Sequence, residues 1–186
     1  QDMLTTVENS LEKMRQLILQ LREGETPVGV VHRVDLAPVA QRLQALSLAR
    51  GRSLDLEMDE GVVVAAHNER IARVLGHLVQ NAFDATPASG RVWMSIERDG
   101  AGVKIVVGDT GHGMTAEFVQ TRLFKPFHTT KQSGMGIGAY ESDQYIRELG
   151  GRIVVDSEAG RGTVISVQLP LFEPRQPAEL ETSTAK

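Results

Sequence analysis

Three clusters in this 186-residue chain carry residue types that can do chemistry. The first, Asp109-Thr-Gly111-His-Gly113-Met114, begins where the apolar run Val103–Gly108 ends. A carboxylate at the end of an apolar strand can accept from an exocyclic amine such as that of adenine. The glycines beside it would let backbone approach a flat ligand closely. The second, Gly134-Met-Gly136-Ile137-Gly138, opens an amphipathic run to Leu149. A glycine-rich helix start presents N–H groups that suit phosphate, and Thr129, Thr130 and Lys131 just before it can add hydroxyl and ammonium contacts. The third is His77-Leu-Val-Gln-Asn81-Ala-Phe-Asp84-Ala85, in which helical spacing puts His77, Asn81, Asp84 and Ala85 on one face. An amide oxygen there suits a hard cation that keeps its waters and bridges phosphates, as Mg²⁺ does. The first two clusters bound roughly twenty-five residues of little periodicity, the length of a functional lid or a disordered segment.

Each cluster alone also has a plainer reading. A helical Asn near a Pro-Gly turn serves as a solvated or capping residue, and Asp before Gly forms turns. Gly134 to Ala139 formally matches the relaxed dinucleotide fingerprint, but that motif must follow a strand. Here His128 to Ser133 is polar loop, so the context fails. No Walker pattern occurs. Phe124 and Phe127 flank Pro126 as a small apolar anchor within the loop. No histidine pair shows helical metal-ligand spacing with a carboxylate, which argues against zinc.

The elements that must position these clusters follow from periodicity. Val34-Asp-Leu36 reads as a short strand entering a helix with Pro38 in its first turn and reaching about Arg50. Ser53–Met58 and Val62–Ala66, separated by Asp59-Glu-Gly61, predict a hairpin. Asn68 is placed to cap a helix whose stripe is Ile71, Val74, Leu75, Leu78 and Ala82, ending at Pro87-Ala-Ser-Gly90. Arg91–Arg98 and Val103–Gly108 form a second hairpin through Asp99-Gly100. A helix to Leu149, a strand 152–157, a Gly160-Arg-Gly162 turn and a strand 163–169 close the order. About three helices and roughly five or six strands predict an α+β two-layer sandwich, a mixed and mainly antiparallel sheet with helices on one face.

At the N-terminus, Leu4, Val7, Leu11, Met14, Ile18 and Leu21 form a heptad seam with Glu8, Glu12, Lys13 and Arg15 off it. Either this helix lies on its own domain or it pairs with another helix; the stop at Gly24-Glu-Thr-Pro27 favours a partner. Residues 1–24 thus read as one segment, 25–172 as the domain, and 173–186 as a disordered polar tail. Composition closes several classes. The net charge of −4 supplies no basic field for nucleic acid, and the absence of cysteine removes disulfides, thiolate metal sites and cysteine nucleophiles. No apolar run approaches the roughly 20 residues of a membrane span, and no signal peptide opens the sequence, so a cytoplasmic piece without direct membrane contact is expected.

Taken in order, these residues resemble the ATP-binding domain of sensor histidine kinases, over roughly Leu36 to Pro170. That family shares a superfamily with type II topoisomerases, Hsp90 chaperones and MutL repair proteins. The resemblance implies the Bergerat fold, with ATP and Mg²⁺ held beneath a mobile lid. It puts Asn81 in the N-box as the Mg²⁺ ligand, with Asp84 and Ala85 beside it. Asp109, Gly111, Gly113 and Met114 fall in the first glycine box, with Asp109 on the adenine amine. Phe124 to Phe127 resemble the F-box, and Gly134, Gly136, Ile137 and Gly138 the second glycine box, preceded by Thr129, Thr130 and Lys131. Thr163 falls near adenine. Ile137 and Ala139 stand where leucines are more usual. Asp84 stands where many such kinases carry a basic residue, which leaves the local phosphate contact open.

The heptad segment then resembles the second helix of a dimerising hairpin whose first helix carries the phosphoacceptor histidine beside an acid. That first helix is not in this sequence, so none of the five histidines is expected to be the acceptor. The resemblance implies a homodimer in the longer protein, a response regulator as partner, and the cytoplasmic portion of a membrane-bound kinase. The run Gly134 to Ser142 also resembles the exosortase-associated PrsK-like kinases. Two alternatives stay open. One is an ATP-hydrolysing clamp of the topoisomerase or chaperone type, although His77 stands where those proteins carry a water-activating glutamate. The other is a dimerising pseudokinase without chemistry.

Overall fold

Residues 31–126 and 137–172 are described in the computed structural model. They belong, save Val31, to a unit spanning His32–Lys186; Gln1–Val31 make up another. The heptad segment 1–24, the linker after it, residues 127–136 and the tail 173–186 lie outside the described residues. Strand β1 (His32–Asp35) runs straight into helix α1 (Leu36–Ala49), which Asp35 caps by accepting from the Ala37 amide at 3.0 Å. Pro38 occupies the first turn, where a missing N–H costs no hydrogen bond.

Strands β2 (Leu54–Met58) and β3 (Val63–Ala66) match the expected segments but do not pair with each other. β2 lies parallel to β4 (Val92–Asp99), and β3 lies antiparallel to β1. The predicted hairpin is therefore wrong, and the reason lies in the turn. Asp59 and Gly61 bind Arg98 at the far end of β4, through the Arg98 amide at 2.9 Å and its guanidinium at 2.8 Å. The Val62 carbonyl takes the Leu36 amide at 3.1 Å. The turn is thus pulled to two different partners and does not fold β3 back along β2.

Helix α2 (Asn68–Ala85) buries the predicted stripe Ile71, Val74, Leu75, Leu78 and Ala82, and Val79 and Phe83 besides. Its cap differs from expectation. His67 holds the N-cap position and its carbonyl accepts from the Ile71 amide at 2.9 Å, so Asn68 is already inside the helix. The helix also stops earlier, at Ala85. Thr86 precedes Pro87 and takes the extended backbone that a pre-proline residue prefers.

β4 and β5 (Gly102–Asp109) form the expected hairpin through Gly100, whose φ is +58°. Helix α3 (Ala116–Thr121), helix α4 (Gly138–Glu148), and strands β6 (Arg152–Glu158) and β7 (Gly162–Pro170) complete the unit. The short helix α3 falls inside the segment expected to lack periodicity. It is started by Thr115, whose hydroxyl accepts from the Phe118 amide at 3.2 Å, and it buries no residue of its own. The main sheet has the order β2-β4-β5-β7-β6, with only the β2–β4 pair parallel. Its inward rows, including Met94, Ile96, Ile105 and Val167, join α2 and α4 in one apolar core, giving the expected two-layer α+β arrangement. The β1–β3 ribbon covers one edge of that core through Val34, Val64 and Ala66.

Candidate functional site

Asp109 is the last residue of β5, is only 6% exposed, and has Val92 beside it on β4. It pairs in register with Thr163 at the start of β7. Its carboxylate accepts from the Gly111 amide at 2.8 Å. Burial pushes the Asp109 carboxyl above its ordinary value. The amides of Gly111 and Thr163 and the nearby His112 pull it the other way without offsetting the burial. A buried acceptor-only group of this kind is built to meet a donor.

Thr163 is itself buried, and its hydroxyl lies 2.8 Å from the Ser157 hydroxyl. Ser157 donates to the Gly162 carbonyl at 3.0 Å and accepts from the Met114 amide at 2.8 Å. One serine on β6 therefore ties Met114, at the end of the first glycine cluster, to Thr163. Ser157 is not among the residues that the sequence patterns single out. Its signal was present: it is the polar member of the half-buried row Ile153, Val155, Ser157.

The first glycine loop is also clamped to α2. The His112 amide donates to the Ala85 carbonyl at 3.1 Å, and the His112 carbonyl accepts from Gly160 at 2.7 Å. A Cβ on Gly111 would strike the Ala85 carbonyl, and one on Gly113, at φ +63°, would strike that of Glu158. The close approach these two glycines permit is thus to neighbouring backbone, which brings Asp109, Ala85 and Thr163 around one loop. Asn81 is half-buried and Asp84 exposed on the last turns of α2. Gln80 donates to Asp84 at 2.6 Å.

Of the second glycine cluster, Ile137 and Gly138 are described, as the N-cap and first residue of α4. Ile137 provides no side-chain cap, so the amides of the first turn depend on other partners. Thr129, Thr130, Lys131, Gly134 and Gly136, with Phe127, lie outside the described residues. The expected anchor Phe124 is half-buried, as are Phe118 and Leu123 before it. Among the described residues no group of three or more His, Asp or Glu side chains could by itself hold a metal. A single amide ligand plus phosphate oxygens is a different arrangement, and one that Mg²⁺ accepts. No described helix is long and apolar enough to cross a membrane. A groove between α1 and α2, lined by Leu43, Arg50, Phe83 and Asp84 among others, contains neither Asp109 nor the glycine loop.

The histidines divide clearly. His32 is exposed on β1. His67 is part of a junction: its amide donates to the Tyr145 hydroxyl at 2.8 Å, and its Nδ1 lies 3.2 Å from the same oxygen. His112 is exposed in the glycine loop, with Nδ1 2.8 Å from the Gly113 carbonyl. His77 is exposed one turn before Asn81, and His128 lies outside the described residues.

Comparisons with known proteins bear on this arrangement. The family model for histidine kinase-, DNA gyrase B-, and HSP90-like ATPases matches residues 66–173. Sporulation kinase E of Bacillus subtilis is 36% identical over 127 residues, which is 68% of this chain and 16% of that protein. Sensor histidine kinase ZraS of Escherichia coli K12 is 30% identical over 86% of this chain and 36% of its own length. The chain therefore spans a minor part of these relatives. The solved nucleotide-free catalytic domain of histidine kinase ThkA is similar with a TM-score of 0.66 at 27% identity, covering 75% of this chain and 95% of that one.

Proposed function

Because the chain belongs to the histidine kinase-, DNA gyrase B-, and HSP90-like ATPase family, we propose that it is the ATP-binding catalytic module of a two-component sensor histidine kinase. The observation that carries the reading is Asp109, a buried acceptor at a strand end, closed in by a glycine loop and by Thr163. In this reading Asp109 accepts from the adenine amine, with Thr163 and Met114 beside the base. Asn81 would hold Mg²⁺, which would supply positive charge to the phosphates, with Asp84 and Ala85 near it. Gly134, Gly136, Ile137 and Gly138 receive the phosphates at the start of α4, with Thr129, Thr130 and Lys131 adding contacts.

ATP supplies the γ-phosphoryl group. The protein's part is to hold it in line and neutralise its charge. The acceptor is a histidine on a helix outside this chain, and the phosphoryl group then passes to a response regulator. The heptad segment 1–24 pairs in a homodimeric hairpin of a longer, membrane-bound kinase whose catalytic part is cytoplasmic, in the PrsK-like branch. His77, at the position of a water-activating glutamate, supports a kinase over an ATP-hydrolysing clamp.

Calorimetry with ATP and GTP, with Mg²⁺ and with chelator, tests the site. ATP should bind at least tenfold more tightly than GTP, since a mispaired buried polar contact costs about 1–3 kcal/mol. Asn81→Ala should abolish the gain in affinity that Mg²⁺ gives. Equal binding of the two nucleotides would overturn the adenine assignment, and a Mg²⁺ gain surviving in Asn81→Ala would overturn the metal ligand.

The lid gives a second expectation. Between Thr115 and Pro126 no residue is fully buried, so amides there have little packing to protect them. Hydrogen exchange should be fast without nucleotide and slow on adding an ATP analogue with Mg²⁺. Protection that is high and unchanged by ligand would mark a fixed structural loop.

A further inference from the structure

Gly138 is the first residue of α4, and its φ lies outside the left-handed region, so its backbone does not demand glycine. Alanine has the better helix propensity at such a position. What a side chain there would meet is His77. A Cβ built on Gly138 would land on the imidazole, with Cε1, Nε2 and Nδ1 of that ring as its nearest atoms. His77 is exposed, so the contact is not core packing, and it projects from α2 one turn before Asn81.

We propose that His77 is a positioning residue, its imidazole a brace against Gly138 that sets how the phosphate-binding start of α4 stands to Asn81. This rests on the nucleotide reading given above. Tyr145 with His67, and Arg70 with Glu148 at 2.9 Å, join the α2 start to the C-terminal half of α4. His77 meets α4 at the opposite end, at its first residue, where phosphate would sit. Glycine at 138 lets the ring lie against the backbone. A methyl group there must displace either the ring or the start of α4.

A double-mutant cycle tests this. Gly138→Ala should weaken ATP binding about tenfold in the otherwise natural chain. In a His77→Ala background, where the ring is gone, the same substitution should cost about threefold or less, and that coupling is the signature of the brace. Binding of adenosine, which has no phosphates, should change little in any variant, whereas a merely structural fault would weaken both ligands alike. Without nucleotide, the His77 ring protons, identified by their loss in His77→Ala, should shift in Gly138→Ala. An equal penalty in both backgrounds, no penalty at all, or unshifted ring protons would each overturn the brace. Failure of the natural chain to bind ATP would sink the nucleotide reading instead, and the ring shifts would still decide whether the contact exists.

Discussion

Asp109→Asn should lower ATP affinity by about tenfold to a hundredfold, a cost of about 1–3 kcal/mol. The substitution preserves size and one acceptor oxygen. It replaces the other oxygen with an NH₂ that can only donate, in a place where both the Gly111 and Thr163 amides and the proposed adenine amine also donate. Donor then faces donor at a buried position. Isothermal titration at neutral pH reads the loss directly, and unchanged affinity would show that the nucleotide does not use this carboxylate.

The same variant isolates the electrostatic cost of the site. Burial holds the Asp109 carboxyl above its ordinary value of 3.8. Between that value and the raised one, the folded chain keeps a proton that the unfolded chain has released. Stability from this group therefore falls as pH rises through that window and is constant above it. Compared by thermal midpoint at each pH, the natural chain should lose ground to Asp109→Asn as pH rises through the acid window, and the difference should then level off. A difference that grows in favour of the natural chain over that range would mean that the two amides and His112 outweigh burial.

The residues of the candidate site are legible where its proposed chemistry lies in short local patterns. Asp109 could be read at the end of an apolar run, and Asn81 on a helix whose stripe was correctly placed. Ser157 was harder. Its role depends on facing Met114 and Gly162 across two strands, and nothing local to it names those partners. The β2–β3 hairpin failed for the same reason. Two strand-like runs around Asp59-Glu-Gly61 look like neighbours, but Arg98 and Leu36, both distant in sequence, decide where each one goes. Asn68 was read as a cap from its type alone, whereas the backbone turn out of β3 comes one residue earlier, at His67. Helix α3 was missed because six residues give almost no periodicity, and only its Thr115 cap announces it.

Incubation of this 186-residue chain with γ-labelled ATP and Mg²⁺ should leave it without label on histidine. An acceptor must be reachable by the γ-phosphoryl and lie beside an acid that takes its proton. His67 is packed against Tyr145, and His77 lies against Gly138 on Asn81's own helix. His112 sits in the glycine loop with its ring on the Gly113 carbonyl, and His32 is on β1, the strand that leads into α1. His128 is followed by Thr129 and Thr130, with no acidic neighbour in sequence. Hydrolysis should also be slow, because imidazole at position 77 replaces the carboxylate that would activate water. Supplying a helix with a His-Asp or His-Glu pair, joined to the heptad seam or added as a separate piece, should give acid-labile, base-stable label on that helix. Asp109→Asn should lower this labelling with its loss of ATP affinity, which ties the transfer to the site. Efficient phosphohistidine formation by the chain alone would mean that one of its own five histidines is the acceptor, and the assignment of the acceptor to a separate helix would fall.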